Sequence, residues 1–371
     1  MEHIKNPVHI LLTGGHAATT ALATIQALKK DKDHNWSISW VGPKKAVESS
    51  GIAPFELKLF PTLNVSVYSI ISGKLQSKFT RHTIPALFKI PISFVQAFYY
   101  ILKIRPQIVV SFGGSVALPI VIVSWLLRIP VIVHEQTVAA GLSNTVASYF
   151  ARKVTLARAD SLSYFNPQKT IVVGNPLIDE VLTVKRQNVL KKPTVYVTGG
   201  SRGAQRVNTV IFAALPELLK HFRVIHQTGV FDFEKAKSLK SLLSLEEQER
   251  YEIHSFINPL EIGTIFQKTT ILIGRAGANT VGETIALAIP SIFIPIPWSR
   301  HDEQTKNARF AEKLGIATVL PESQLSVESL VKAVSETMKK WNVMTAHGKQ
   351  SAHIDRDASK LLVSVIVQEL S

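Results

Sequence analysis

No cysteine occurs among the 371 residues, which excludes a disulfide framework, a thiolate nucleophile and a thiolate-held metal cluster. Charge is scarce as well, at 19% against 46% hydrophobic residues. That balance excludes a disordered or low-complexity chain and supplies apolar material for two cores. A long clean apolar run is also missing. The most hydrophobic stretch, VALPIVIVSWLLRIPVIV (116–133), is interrupted by Pro119, Arg128 and Pro130, short of the roughly 20 residues a membrane span needs. It reads as a buried helix followed by a buried strand. No signal-peptide pattern opens the sequence, since the first residues run through a short apolar segment into a Gly-rich turn, as a first strand does. The expectation is a soluble protein that touches a membrane surface rather than crossing it.

Acidic residues are outnumbered. Lys and Arg total 42 against 27 Asp and Glu, a net charge of +15, which favours partners carrying phosphate or an anionic surface. Residues 1–175 hold 18 basic against 7 acidic residues, and 176–371 hold 24 against 20. Nucleic acid or an anionic membrane would each account for the basic first half. With no helix-turn-helix, zinc finger or aromatic RNA-binding motif present, nucleic acid is not the expected partner.

What is there is an alternation of short β-rich apolar runs with helical patterns, the signature of parallel α/β architecture. Strands are predicted at 8–12, 37–42, 108–112, 130–135 and 170–174, and again at 194–200, 223–229, 270–275 and 291–297. Two segments echo each other, HILLTGGHAATTALATIQAL and TVYVTGGSRGAQRVNTVIFAAL. Each runs strand, Thr-Gly-Gly, polar residue, helix, and the pair points to two Rossmann-like domains. The join is expected in 173–193, where Gly, Pro and charged residues cluster.

Three Gly-containing turns carry the candidate chemistry. The first is Thr13-Gly14-Gly15-His16. Paired glycines after a strand let the backbone approach a ligand, and the next helix offers N–H groups and a positive dipole end, which suits a polyphosphate or sugar phosphate. A plain tight strand–helix turn is the alternative. Leu11 and Leu12 stand where a dinucleotide fingerprint would have further glycines. His16 at a helix start is held toward its neutral form, as a general base requires, although a lone histidine is more often structural. The second turn, Gly199-Gly200-Ser201-Arg202-Gly203, adds a hydroxyl and a third glycine but lacks the Lys-Ser/Thr ending of a nucleotide-hydrolysing loop. The third, GRAGANTVGETIALAIP (274–290), joins a strand ending at Gly274-Arg275 to a helix with Glu283, placed to accept hydrogen bonds from ribose hydroxyls; a surface glutamate after a Gly-Ala turn is the competing reading.

His134, Glu135 and Gln136 end a buried strand, where open α/β sheets form ligand crevices. PWSRHDEQTKNA (297–308) ends another strand in a polar loop, with Gln304 and Asn307 on the following helix. The Asp-x-Asp pairs at 31–33 and 355–357 read as solvated turns or caps, so no metal site is expected.

Taken in order, TGGH, GG…P…IPVIVHEQ…GLSN, VGNP, GGSRGAQRVN, HQTG, RAGANTVGE, P…P and EQTKNA span nearly the whole chain. In this combination the sequence resembles the bacterial lipid II-forming glycosyltransferases, the UDP-N-acetylglucosamine–N-acetylmuramyl-(pentapeptide) pyrophosphoryl-undecaprenol N-acetylglucosamine transferases. The resemblance implies a GT-B fold, two Rossmann-like parallel-sheet domains facing a central cleft. It implies an N-terminal acceptor and membrane-facing domain at 1–175, a UDP-sugar domain at 176–352, and a final helix in 353–371 crossing back to the first domain. It also implies an inverting transfer from UDP-N-acetylglucosamine to the 4-hydroxyl of an undecaprenyl-linked acceptor (lipid I). Such a reaction needs a base for the hydroxyl and donors for the departing diphosphate. No cofactor or metal is implied.

Carried over residue by residue, His16 becomes the favoured base, with Glu135 a second catalytic candidate. Thr13, Gly14 and Gly15 shape the acceptor-side cradle, and His134 and Asn144 line the same domain's side of the cleft. Ser201 contacts the diphosphate and Asn208 supports its loop. Ile257, Arg275, Ala278, Asn279, Thr280, Val281, Gly282, Glu283 and Gln304 form the donor-binding set, with Glu283 on the ribose. The chain departs from the family pattern at Leu11-Leu12, at Thr19-Thr20, at Ser115 for tyrosine, at Thr137 for asparagine and at Ile178 for arginine. The last two bear on donor affinity or donor-sugar identity.

The segment 73–105 mixes Lys74, Lys78, Arg81, Lys89, Lys103 and Arg105 with Ile, Leu, Phe and Tyr. An exposed basic–apolar surface docks on anionic lipid with about 1 kcal/mol per well-placed cation, whereas an ordinary amphipathic helix would turn its apolar side inward. The expected location is the cytoplasmic face of the cell membrane. A same-fold UDP-N-acetylglucosamine 2-epimerase or glycolipid sugar transferase is the alternative enzyme. A non-catalytic anionic-lipid or nucleic-acid binder is the alternative of another class.

Overall fold

The computed structural model describes residues 6–15, 17–44, 54–71, 83–186, 191, 193–200 and 203–370. His16, Ser201, Lys74, Lys78 and Arg81 lie outside the described residues. The chain divides into two compact units, residues 1–178 with 357–371, and residues 179–356.

In the first unit the strands are β1 (Val8–Thr13), β2 (Trp36–Pro43), β3 (Ser66–Ile70), β4 (Ile108–Ser111), β5 (Val131–Glu135), β6 (Lys153–Leu156) and β7 (Thr170–Val172). They form one parallel sheet in the order β3-β2-β1-β4-β5-β6-β7. The helices between them are α1 (Ala18–Lys30), α2 (Phe55–Thr62), α3 (Thr83–Ile104), α4 (Ala117–Leu126) and α5 (Leu142–Phe150). Alternation along each strand sends Leu11, Val109, Val131 and Val133 into a core with Ala97 and Ile101 of α3, Ile120 and Val121 of α4, and Ala147 of α5. Both sheet faces are covered, which is why these strands read as unbroken apolar runs.

The second unit has β8 (Thr194–Thr198), β9 (Arg223–Gln227), β10 (Tyr251–His254), β11 (Ile271–Gly274), β12 (Ser291–Phe293) and β13 (Ala317–Val319), parallel in the order β10-β9-β8-β11-β12-β13. Its helices are α6 (Asp179–Leu182), α7 (Gln205–His221), α8 (Phe233–Ser241), α9 (Leu245–Arg250), α10 (Ile262–Lys268), α11 (Ala278–Ala286), α12 (Glu303–Lys313), α13 (Val327–Lys339) and α14 (Trp341–Ser351). The last helix, α15 (Ala358–Gln368), belongs to the first unit and packs on α1.

All nine predicted strands form. Four more, β3, β6, β10 and β13, escape the apolar-run signal because they are short and carry polar residues: SVYSI, KVTL, YEIH and ATV. Three of them are sheet edges, where one flank needs no apolar cover. The reading of 355–357 as a solvated turn or cap is corrected at Asp355, which is fully buried. In 31–33, Asp31 accepts from Asp33 N at 2.9 Å and Trp36 Nε1 at 2.9 Å, a local turn rather than a ligand position.

In each sheet the strand order reverses beside the unit's first strand, between β1 and β4 and between β8 and β11. A crevice opens at such a reversal, beyond the carboxyl ends of the strands. Both Gly-rich turns sit there.

Candidate functional site

At the first reversal, β1 ends at Thr13 and β4 runs into Gly113-Gly114. Gly15 N donates to Gly113 O at 2.9 Å. A Cβ on Gly114, whose φ is +89°, would stand 3.0 Å from the Gly15 Cα and N. Only glycine permits two backbones to approach this closely. Gly14 packs as tightly, with Phe112 and Trp40 at 3.2 and 3.3 Å from its would-be Cβ. The cradle predicted from Thr13, Gly14 and Gly15 is therefore half of a double-glycine contact, whose other half, Gly113-Gly114, is the glycine pair of the family motif.

Asn144 enters the same contact. A Cβ on Gly113, at φ +83°, would lie 2.4 Å from Asn144 Oδ1. Asn144 Nδ2 donates to Glu135 Oε2 at 2.9 Å and to His134 O at 3.3 Å, so Oδ1 faces Gly113, buried and without a hydrogen-bond partner. Glu135 is buried: Oε1 accepts from Thr137 N at 3.0 Å, Oε2 accepts from Gly141 N at 3.0 Å and Asn144 Nδ2, and the single Thr137 hydroxyl hydrogen is shared between Oε1 and Ala139 O. Three N–H donors fix the orientation of this carboxylate. This geometry gives Glu135, the second catalytic candidate, a positioning task in its own loop. Thr137, the departure from the family's asparagine, supplies one of these three through its backbone N–H.

His134 is fully buried on the opposite face of β5. Its Nδ1 lies 3.0 Å from Thr155 Oγ1, and Nε2 has no hydrogen-bond partner. Burial, with the Arg158 charge second, pushes its pKa down to about 3 and keeps the ring neutral. Ile178, the other departure, is buried at the end of the first unit's leading stretch.

At the second reversal, Gly200 takes φ +77° and Gly203 φ +75°. Gly200 N donates to Thr198 Oγ1 at 3.0 Å, and Gly203 N to Gly200 O at 3.1 Å. The place a Gly203 Cβ would occupy is 2.3 Å from Thr228 O, while nothing lies within 4 Å of that place on Gly200. Asn208 Nδ2 donates to Thr228 O and to Asp232 Oδ2, each at 2.7 Å, so its support of this turn passes through Thr228.

Next to β8, β11 ends at Gly274 and leads to α11. Gly277 caps α11 without a side chain, and no atom lies within 4 Å of its would-be Cβ. The backbone approach to this positive helix end is sterically open. Ala278, Asn279, Thr280, Val281 and Gly282 form the first turns of α11, with Glu283 following. Glu283 keeps partial exposure, but surrounding protein raises its carboxyl pKa to about 7. Tyr196, on β8, feels both: burial pushes its hydroxyl up, and the Glu283 charge adds to the shift.

Arg275 is placed differently from a ligand contact. It is buried, its Nη1 donates to Ile294 O at 3.0 Å and Pro295 O at 3.3 Å, and Nη2 pairs with Glu322. It ties the end of β11 to that of β12. Gln304 Oε1 accepts from Ile296 N at 3.2 Å and shapes the loop before α12. Asn307 Nδ2 donates to Ala276 O at 3.1 Å and so fixes the Gly-Ala turn. Ile257 is buried just after β10. Among the described residues, no group of three His, Asp or Glu side chains is arranged to hold a metal ion.

The structure thus gathers Thr13, Gly14, Gly15, His134, Glu135 and Asn144 in the first unit. It gathers Asn208, Arg275, the 278–283 turn and Gln304 in the second. Known proteins pair the same two halves. Residues 13–156 match the glycosyltransferase family 28 N-terminal domain and residues 194–362 its C-terminal domain. A Bacillus cereus protein named UDP-N-acetylglucosamine--N-acetylmuramyl-(pentapeptide) pyrophosphoryl-undecaprenol N-acetylglucosamine transferase 2 is 31% identical over 98% of this chain and 99% of its own. The crystal structure of Acinetobacter baumannii MurG superposes with a TM-score of 0.70 at 23% identity, over 98% of this chain and 100% of that one. UDP-GlcNAc 2-epimerase from Neisseria meningitidis, bound to UDP-GlcNAc, shares the fold with a TM-score of 0.68 at 12% identity, over 97% and 100%.

Proposed function

From the premise that the chain belongs to the UDP-N-acetylglucosamine–N-acetylmuramyl-(pentapeptide) pyrophosphoryl-undecaprenol N-acetylglucosamine transferase family, we propose that it makes lipid II. It transfers N-acetylglucosamine from UDP-N-acetylglucosamine to the 4-hydroxyl of lipid I, with inversion at the anomeric carbon. The observation that carries this reading is the second reversal: a glycine turn and an open helix start stand side by side at neighbouring strand ends, with Glu283 following in the same helix. Backbone N–H groups and the helix dipole there stabilise the charge that builds on the departing diphosphate. Glu283 accepts from the ribose hydroxyls.

On the first unit, His16 takes the proton from the attacking hydroxyl as the bond to the sugar forms and UDP leaves. Glu135 holds Asn144 and the 135–144 loop in place for the acceptor. Ser201 contacts the diphosphate. Arg275, Gln304 and Asn307 act one step back, by fixing the backbone around the donor turn.

The acceptor is bound to a membrane, and the first unit carries a surface that suits one. Ile92, Val95, Phe98, Tyr99 and Leu102 are exposed along α3, at spacings that place them on one helical face. Lys103 lies 5.3 Å from the Tyr68 ring centre and 5.8 Å from that of Tyr99. Trp125, Leu126 and Leu127 are exposed at the end of α4, the helix packed against α3. No helix among the described residues is long and apolar enough to cross a membrane. The enzyme docks by this face on the anionic cytoplasmic leaflet.

Transfer of radiolabelled N-acetylglucosamine from UDP to lipid I tests the reading, with His16→Ala and Glu283→Ala expected to abolish it. UDP-sugar turnover without any lipid would instead favour the epimerase.

A further inference from the structure

The sequence motif His226-Gln227-Thr228-Gly229 contains no residue to which the transfer reaction above gives a task. Adjacent residues on a strand point to opposite sheet faces, and on β9 the two side chains reach the two ends of one turn. On one face, Gln227 Oε1 accepts from Tyr196 OH at 2.8 Å and from Thr198 Oγ1 at 3.2 Å. With its hydrogen committed to Gln227, the Thr198 oxygen presents a lone pair to Gly200 N at 3.0 Å. On the other face, His226 Nε2 lies 3.1 Å from Asn208 Oδ1 and Nδ1 lies 3.0 Å from Tyr251 OH.

The proton positions on that second face are determined. Asn208 Nδ2 meets two acceptors, Thr228 O and Asp232 Oδ2, so the amide cannot be turned over and Oδ1 must face His226. His226 Nε2 therefore carries hydrogen. Its Nδ1 is then an acceptor, because burial holds the ring neutral with a pKa near 3, and Tyr251 donates. The chain runs Tyr251 to His226 to Asn208 to the Thr228 carbonyl, which is the wall against which Gly203 is seated.

We propose that His226 and Gln227 are positioning residues for UDP, fixing the Gly203 and Gly200 ends of the donor turn from opposite faces of the sheet without touching the ligand. This rests on the donor assignment made above. The two wires share no atom, so each can be cut alone.

Titration calorimetry with UDP, on the full chain, tests it. His226→Leu and Gln227→Met are each expected to weaken UDP binding about tenfold, the effect of one positioning hydrogen bond, while the KM for lipid I stays within about twofold of the parent's. His226→Gln, whose amide again donates toward Asn208, should recover most of the affinity. A general packing defect would move both substrates and would not be rescued by glutamine. Should His226→Leu fail to fold, Tyr251→Phe leaves the imidazole in place, removes only its donor, and is expected to weaken UDP binding about threefold. Parent-like UDP affinity in the folded variants would overturn the inference while leaving the donor assignment standing. A parent protein with no UDP affinity would remove both.

Discussion

The Glu135 carboxylate and the Asn144 amide, nine positions apart, meet at 2.9 Å and close the loop between β5 and α5 into a ring. Three N–H donors converge on that carboxylate, and the opposite edge of Asn144 is pressed toward Gly113. One side chain thereby fixes the backbone of its own loop and the orientation of the amide that faces the glycine contact.

Glu135→Gln should consequently act on structure before chemistry. The new NH₂ must face donors on one side, which costs about 1–3 kcal/mol for the buried groups left unmatched. The expected outcome is a lower melting temperature and a raised lipid I KM, with UDP affinity intact. A large loss of kcat at parent-like KM would instead make Glu135 a catalytic residue.

Glu283 gives a pH signature. Its carboxyl is raised from 4.5 to about 7, so between those values the folded chain holds a proton that the unfolded chain has released, and stability falls as pH rises through this window. Below it the difference vanishes, and above it the cost is constant. Glu283→Gln removes the slope. Its melting temperature should gain on the parent's from pH 4.5 toward pH 8, measured by thermal unfolding at each pH.

Gly200 and Gly203 share a positive φ but not their surroundings. Gly200→Ala meets no neighbour within 4 Å and should cost only the backbone strain, about 1–2 kcal/mol. Gly203→Ala would drive a methyl into Thr228 O and must move the turn. UDP titration of the two variants should show a much larger affinity loss for Gly203→Ala, and equal losses would contradict the seated turn.

The α3 face yields a test separate from catalysis. Lys103→Glu, with Val95→Glu, should reduce co-sedimentation with vesicles containing anionic lipid by about fivefold or more per charge removed. Activity toward a short-chain, water-soluble acceptor should persist. Undiminished vesicle binding would move the docking surface elsewhere.

Much of this was legible in the sequence because it depends on local signals. The Thr-Gly-Gly turns announce themselves after apolar strands, and the Ala278–Glu283 segment follows a strand end by a fixed plan. Gly113 and Gly114 stand in the family motif without a role of their own, because their significance is a contact with Gly15, about a hundred positions earlier, and with Asn144, about thirty later. Arg275 entered the donor-binding set through the family resemblance alone. Only the fold shows its charge turned inward to Glu322 and two carbonyls. The Tyr196, Gln227 and Thr198 cluster likewise exists only through the register that sets Thr198 beside Gln227.

The first unit is written in two pieces. Leu177, where its leading stretch ends, accepts a hydrogen bond from Ser359 at 3.4 Å, where the chain re-enters. On the ribosome, residues 179–356 emerge whole and can collapse on their own, whereas the domain begun first must wait for the closing helix to be translated. A stop codon a few turns early would spare the later-encoded domain and strip the earlier one of the helix that lies on α1. The same adjacency means that a short splice from 178 to 357 should give a free-standing first domain.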